Sequence, residues 1–156
     1  MEQLRSIDPP WVEVMVCEAQ PVLDDFVANL SGLCVRVLQG QRCTSKKDLL
    51  AEFAHALQFP GHFGRNWDAL EDCITDMEWM AASGYVIVIR DADRVLIDSE
   101  KDFIVFVNIM DSAGKFWATP QSGEWARSGL PFHVVLVVFG EHNAQARNWG
   151  VPIVRL

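Results

Sequence analysis

Long apolar runs are missing from this chain of 156 residues. The longest, Phe103 to Val107 and Val134 to Phe139, fall far short of the roughly 18 residues that a membrane span requires, so no span is expected. Positive charge is also scarce: 13 Lys and Arg stand against 21 Asp and Glu, a net charge of -8 that repels phosphate backbones and anionic membranes alike. Direct nucleic-acid binding and membrane binding are disfavoured, and a basic protein partner is favoured. The four cysteines, Cys17, Cys34, Cys43 and Cys73, form no C-x-x-C pair in a chain that is 50% hydrophobic, and read as reduced packing residues. No apolar stretch follows Met1 to Arg5 before Asp8-Pro9-Pro10 interrupts, so no secretory signal is expected and the expected setting is cytoplasmic. No serine stands in G-x-S-x-G, Gly61-x-x-Gly64 is too short for a phosphate loop, and neither H-E-x-x-H nor EF-hand spacing occurs. Nothing here assembles a nucleophile.

What is present is an alternation of strand and helix signals over a length that suits one domain. Trp11 to Cys17 is short and rich in β-formers, and Val22, Leu23, Phe26, Val27 and Leu30 trace one face of a helix. Leu33 to Leu38 predicts a second strand, and Leu49, Leu50, Phe53, Ala54 and Leu57 a second helix capped near Thr44-Ser45 and bounded by Pro60. A further helix is expected from about Asn66 to Trp79. Tyr85 to Ile89 and Val134 to Phe139 are apolar on both faces, as strands at the centre of a covered parallel sheet are. Between them a helix from about Asp98 supplies the crossover that parallel neighbours need. Residues 112–131, with Trp117, Pro120, Trp125 and Pro131, read as an irregular insertion, and Val151 to Leu156 as an edge strand tolerating Pro152. The expected fold class is α/β, with a short, mostly parallel sheet of three to four strands packed with helices. Residues 1–32 are expected to form an extension of strand plus helix on a main domain of 33–156.

Chemistry concentrates between residues 60 and 80, where Asp68, Glu71, Asp72, Asp76 and Glu78 face only Arg65, giving half the chain's net charge. On a helix, Asp68, Asp72 and Asp76 stand at i, i+4 and i+8 with Glu71 alongside, while Leu70 and Ile74 turn inward. Like charges at i, i+4 cost a helix roughly 0.2–0.5 kcal/mol per pair, and only Asp68, in the first turn, is offset by the helix dipole. A solvated face is the bland reading of such acids. A divalent-metal site of a hydrolase, built from Asp68, Asp72 and His62, is a second. His55, within a helical stripe, and His133, at the start of a strand, read as structural.

The run Pro60-x-His62-Phe63-Gly64-x-Asn66-x-Asp68-Ala69-Leu70-x-Asp72-Cys73 closely resembles the barstar family of intracellular ribonuclease inhibitors, whose signature is Pro-x-Tyr-Tyr-Gly-x-Asn-Leu-Asp-Ala-Leu-x-Asp-Cys-Leu. The likeness covers about Leu33 to Val88 in order. It implies a small parallel sheet with helices packed on it, and an inhibitor, plausible as an antitoxin or immunity partner, that plugs a basic ribonuclease's active site without chemistry or cofactor. It further implies that Asp72 is the dominant anchor and Asp68 its acidic companion. Glu71, Asp76, His62, Phe63, Gly64 and Asn66 complete the partner-binding face, with Asp111 as an acid on a later helix. His62 stands where the signature has its first Tyr, Glu71 where a Trp often precedes the key Asp, and Asp76 where the type member has Gly. Aromatic contact is reduced and acidity increased, so the implied target differs from the type ribonuclease, and a binding module of the same fold for another basic protein stands as the alternative.

Overall fold

The computed structural model describes residues 1–156. Five strands form one sheet in the order β2-β3-β4-β1-β5, where β1 is Val12–Cys17, β2 Cys34–Gln39, β3 Tyr85–Arg90, β4 Phe132–Phe139 and β5 Ile153–Arg155. Every neighbouring pair is parallel. The sheet thus has one or two strands more than the three to four expected and no antiparallel member. The helices are α1 (Gln20–Ala28), α2 (Lys46–Ala56), α3 (Trp67–Asp76), α4 (Glu100–Ala118) and the short α5 (Glu141–Ala144).

The unalternating sequences of β3 and β4 are explained by apolar layers on both faces of the sheet. One layer joins Val14, Ile87, Ile89, Val134 and Leu136 to Leu50 and Phe53 of α2, Leu70 and Ile74 of α3, and Phe103, Phe106 and Met110 of α4. The other joins Met15, Val86, Val88, Val135 and Val137 to Leu4 and to Leu23 and Phe26 of α1. α2, α3 and α4 therefore share one side, with α3 packed against α4.

The end of α4 differs from the sequence expectation. α4 runs seven residues beyond Asp111 to Ala118, so the irregular insertion is shorter than 112–131 and begins at Thr119. The reason lies in Gly114 and Trp117. A Cβ at position 114 would lie 2.3 Å from the Trp11 side chain, so this glycine marks close packing inside the helix and no break. Trp117 is 5% exposed and donates from Nε1 to the Ile74 carbonyl at 2.9 Å, a core residue and no part of a loop. β1, the strand expected from Trp11 to Cys17, occupies an interior place in the sheet. It pairs with β4 from Val12↔Val134 to Cys17↔Phe139 and with β5 on its other side.

This position buries a carboxylate. Glu13 is 7% exposed, and burial pushes its pKa above the ordinary carboxylate value, with the nearby amino terminus pulling weakly downward. A raised folded-state pKa means that the folded chain holds this proton more tightly than the unfolded one. Stability from this group is therefore full below the unfolded value and is lost as pH rises through the folded one. Glu13→Gln, which imitates the protonated form, is expected to raise the thermal midpoint at neutral pH. The gain should shrink toward zero near pH 4, which paired melts across pH will read.

Candidate partner interface

α3 starts where the sequence dictates. Asn66, extended at φ -137°, accepts at Oδ1 from the Ala69 amide at 2.7 Å, and Asp68 sits in the first turn, where its charge meets the positive end of the dipole. The helix ends at Met77, which adopts a left-handed conformation (φ 52°), one turn short of the Trp79 boundary expected from the stripe. Leu70, Cys73, Ile74 and Met77 are buried at i, i+3, i+4 and i+7. The Trp117 bond to the Ile74 carbonyl fastens the last turn to α4. The helix is held at both ends and along its inner face.

The loop before it is shaped by rings. Phe63 packs edge-on against Phe59 with centroids 5.0 Å apart, and Phe59 against Trp79 at 6.0 Å, while Trp79 Nε1 donates to the Leu57 carbonyl at 2.9 Å. Phe63 and Trp67 are half-buried against the main core, so each has a structural duty whatever else it touches. Gly64 and Asn66 shape the turn into the helix, with Arg65 between them at φ 51°. His62, Gly64 and Asn66 are exposed at its rim.

Asp68, Glu71, Asp72 and Asp76 are all exposed, on the side of α3 opposite its buried stripe. The chain's three ion pairs, Arg90 with Asp91, Arg147 with Glu100 and Arg155 with Glu141, lie elsewhere. Lys46, at the start of α2, places its ammonium over the Trp67 ring 5.2 Å from the centroid instead of pairing with an acid. The row of carboxylates is therefore outward and unpaired. Its field is felt behind the helix: burial first, then the charges of Asp76 and Asp72, push the Cys73 thiol above its ordinary pKa, leaving it a poor nucleophile. Cys43, more deeply buried beside Glu52 and Asp48, is pushed up to about 12.

Asp111 lies on the neighbouring α4, exposed on its outer side, and makes no ion pair. Asp68, Asp72 and His62 are not gathered as a ligand set, nor is any group of three His, Cys, Asp or Glu side chains, so the metal reading lacks a geometry. His133 is fully buried, with its ring nitrogens 3.1 and 2.8 Å from the Pro10 and Ser6 carbonyls, and is structural as its position implied. No helix is long and apolar enough to cross a membrane.

Residues 33–137, from the start of β2 into β4 and including the whole of α3 and its loop, match the family model described as Barstar (barnase inhibitor). The chain belongs to the barstar family. No curated protein matches the chain. Among solved structures it is similar to Drosophila ORC bound to DNA, with TM-score 0.56 and 14% identity over 99% of this chain and 38% of that one. It is also similar to the Aeropyrum pernix ORC2 protein in ADPNP-ADP complexes, with TM-score 0.53 and 12% identity over 93% and 41%. Drosophila ORC bound to AT-rich DNA and Cdc6 gives TM-score 0.52 and 10% identity over 93% and 47%. The barstar-family chain thus spans less than half of each of those chains, and the likeness is one of sheet architecture alone. β1, α1, α5 and β5 lie outside the family match, yet β1 is inside the sheet.

Proposed function

We propose that this barstar-family protein inhibits a basic ribonuclease by seating the outer face of α3 and the loop at His62 in its active site, as an antitoxin or immunity partner inside the cell. The observation that carries this is the row Asp68, Asp72, Asp76 with Glu71, exposed on a helix fastened at both ends and free of the chain's own cations. A ribonuclease holds its substrate's phosphates with Arg, Lys and His, and carboxylates fixed on a rigid rod can take those places through charge-assisted hydrogen bonds. Asp72, mid-helix, is the central anchor, with Asp68 beside the loop and Asp76 a turn further on. His62, Phe63, Gly64 and Asn66 form the rim next to Asp68, and Asp111 is an outlying acid on α4.

Inhibition is expected to depend on ionic strength, because the Debye length falls from about 14 Å near 50 mM salt to about 4 Å near 500 mM. RNA hydrolysis by at least one of a panel of basic microbial ribonucleases other than the type enzyme, barnase, should be blocked at one-to-one stoichiometry, with association slowing steeply between those two salts. Failure to inhibit any of them, or binding indifferent to salt, removes the proposal.

A further inference from the structure

The insertion after α4 is built firmly, and it builds something. Arg127 donates to the Trp117 and Phe116 carbonyls at 2.9 and 3.0 Å and to that of Ser128 at 3.1 Å. Its guanidinium lies over the Trp117 and Phe116 rings, 4.6 and 5.1 Å from their centroids. Gln121 and Arg127 exchange backbone hydrogen bonds at 2.9 and 3.0 Å, closing a bridge beneath the turn Gly123–Trp125. Leu130 N donates to the Trp117 carbonyl at 2.8 Å, and a Cβ on Gly129 would lie 2.3 Å from the Ala118 carbonyl oxygen, so the returning strand is pressed against the end of α4. On this braced turn Trp125 is 78% exposed, more than any other large apolar side chain in the protein.

Between that turn and the end of α3 lies an open groove of about 370 Å³, walled by Thr75, Asp76, Glu78, Phe116, Trp125 and Arg127. Its cation, Arg127, is already committed to three carbonyls and two rings. Asp76 and Glu78 are exposed and carry no ion pair. The groove thus offers two free carboxylates and an indole, the pair of features that holds an ammonium or guanidinium. It is also continuous with the acidic face, since Asp76 belongs to both.

We infer that this groove is a second anchor point, taking a long basic side chain of the same ribonuclease that α3 engages, with the cation held between Trp125 and the carboxylates of Asp76 and Glu78. The inference rests on the reading of α3 as the partner-binding face. It places new aromatic contact at the far end of the helix from position 62, where His62 stands in place of a signature tyrosine.

The test has two arms. In the ribonuclease assay, Trp125→Ala is expected to raise the inhibition constant roughly thirtyfold, the size of a desolvated cation–aromatic contact. Its thermal midpoint should be unchanged, because the indole is exposed. In the second arm, octa-arginine is titrated into the isotope-labelled protein, and the Trp125 indole N–H resonance is expected to shift. That shift should vanish in the D76N/E78Q double variant. Wild-type inhibition with Trp125→Ala equally potent overturns the second anchor and leaves the α3 reading standing. A wild type that inhibits nothing overturns the α3 reading, and the indole titration then decides the groove by itself. An indole signal that stays fixed overturns the groove in either case.

Discussion

Asp72→Ala is expected to raise the inhibition constant by two to four orders of magnitude while leaving the protein slightly more stable. The first part follows from desolvation. An exposed carboxylate costs little to carry in the free protein. Once it is enclosed among a partner's arginines, its removal leaves those cations buried without a counter-charge, and such truncations cost about 3–5 kcal/mol, roughly 100- to 5,000-fold. The second part follows from α3 itself. Asp72 has like-charged neighbours at Asp68 and Asp76 and points to no local donor or cation, so its loss relieves about 0.2–0.5 kcal/mol per like-charged pair. A higher thermal midpoint with weaker inhibition is an outcome that generic misfolding does not produce. Asp72→Asn, nearly equal in shape, should lose most of the same affinity. Inhibition within about threefold of wild type, less than 1 kcal/mol, would show that the anchor lies elsewhere.

Residues 33–156 alone are expected to show no cooperative unfolding transition. We propose that residues 1–32 are integral to the fold, in contrast to a dispensable extension, because β1 lies between β4 and β5 and is hydrogen-bonded to both. Deleting them strips the edge of β4, strands β5, and removes Leu4, Val12, Val14, Leu23, Phe26 and Leu30, all 3% exposed or less. At about 1.5–3 kcal/mol for each such side chain, the loss reaches the whole stability of an ordinary domain, about 5–15 kcal/mol. A thermal melt by circular dichroism reads this directly. A sharp transition in the shortened chain, near that of the full one, would instead make 33–156 an autonomous unit.

Periodicity carried much of the architecture. β3 and β4 were legible because a strand covered on both faces has no reason to alternate, and α2 and α3 because each buries one stripe. The interior place of β1 was not legible, since its sequence carries Glu13 as its second residue and only the packed sheet reveals that carboxylate as buried. The full length of α4 was hidden because Trp117 reads with Pro120, Trp125 and Pro131 as one irregular stretch, whereas it is a buried helical residue bonded to the Ile74 carbonyl. For the candidate face, spacing alone put the acids on one side of α3. That they lack partners was beyond the sequence, because it depends on where the cations go: Lys46 turns to Trp67 and Arg127 to two rings and three carbonyls. The groove at Trp125 was equally hidden, formed by a segment with no period to read.

The pinning of α3 by Asn66 at one end and Trp117 at the other separates two kinds of evolutionary change. The inward residues Leu70, Cys73, Ile74 and Met77 keep the scaffold, so the outward ones can be exchanged almost freely without disturbing it. On the proposed reading of this face, a change in the partner's contact surface can be met by single substitutions on this one side of α3, so that binding is retargeted while the interior stays the same.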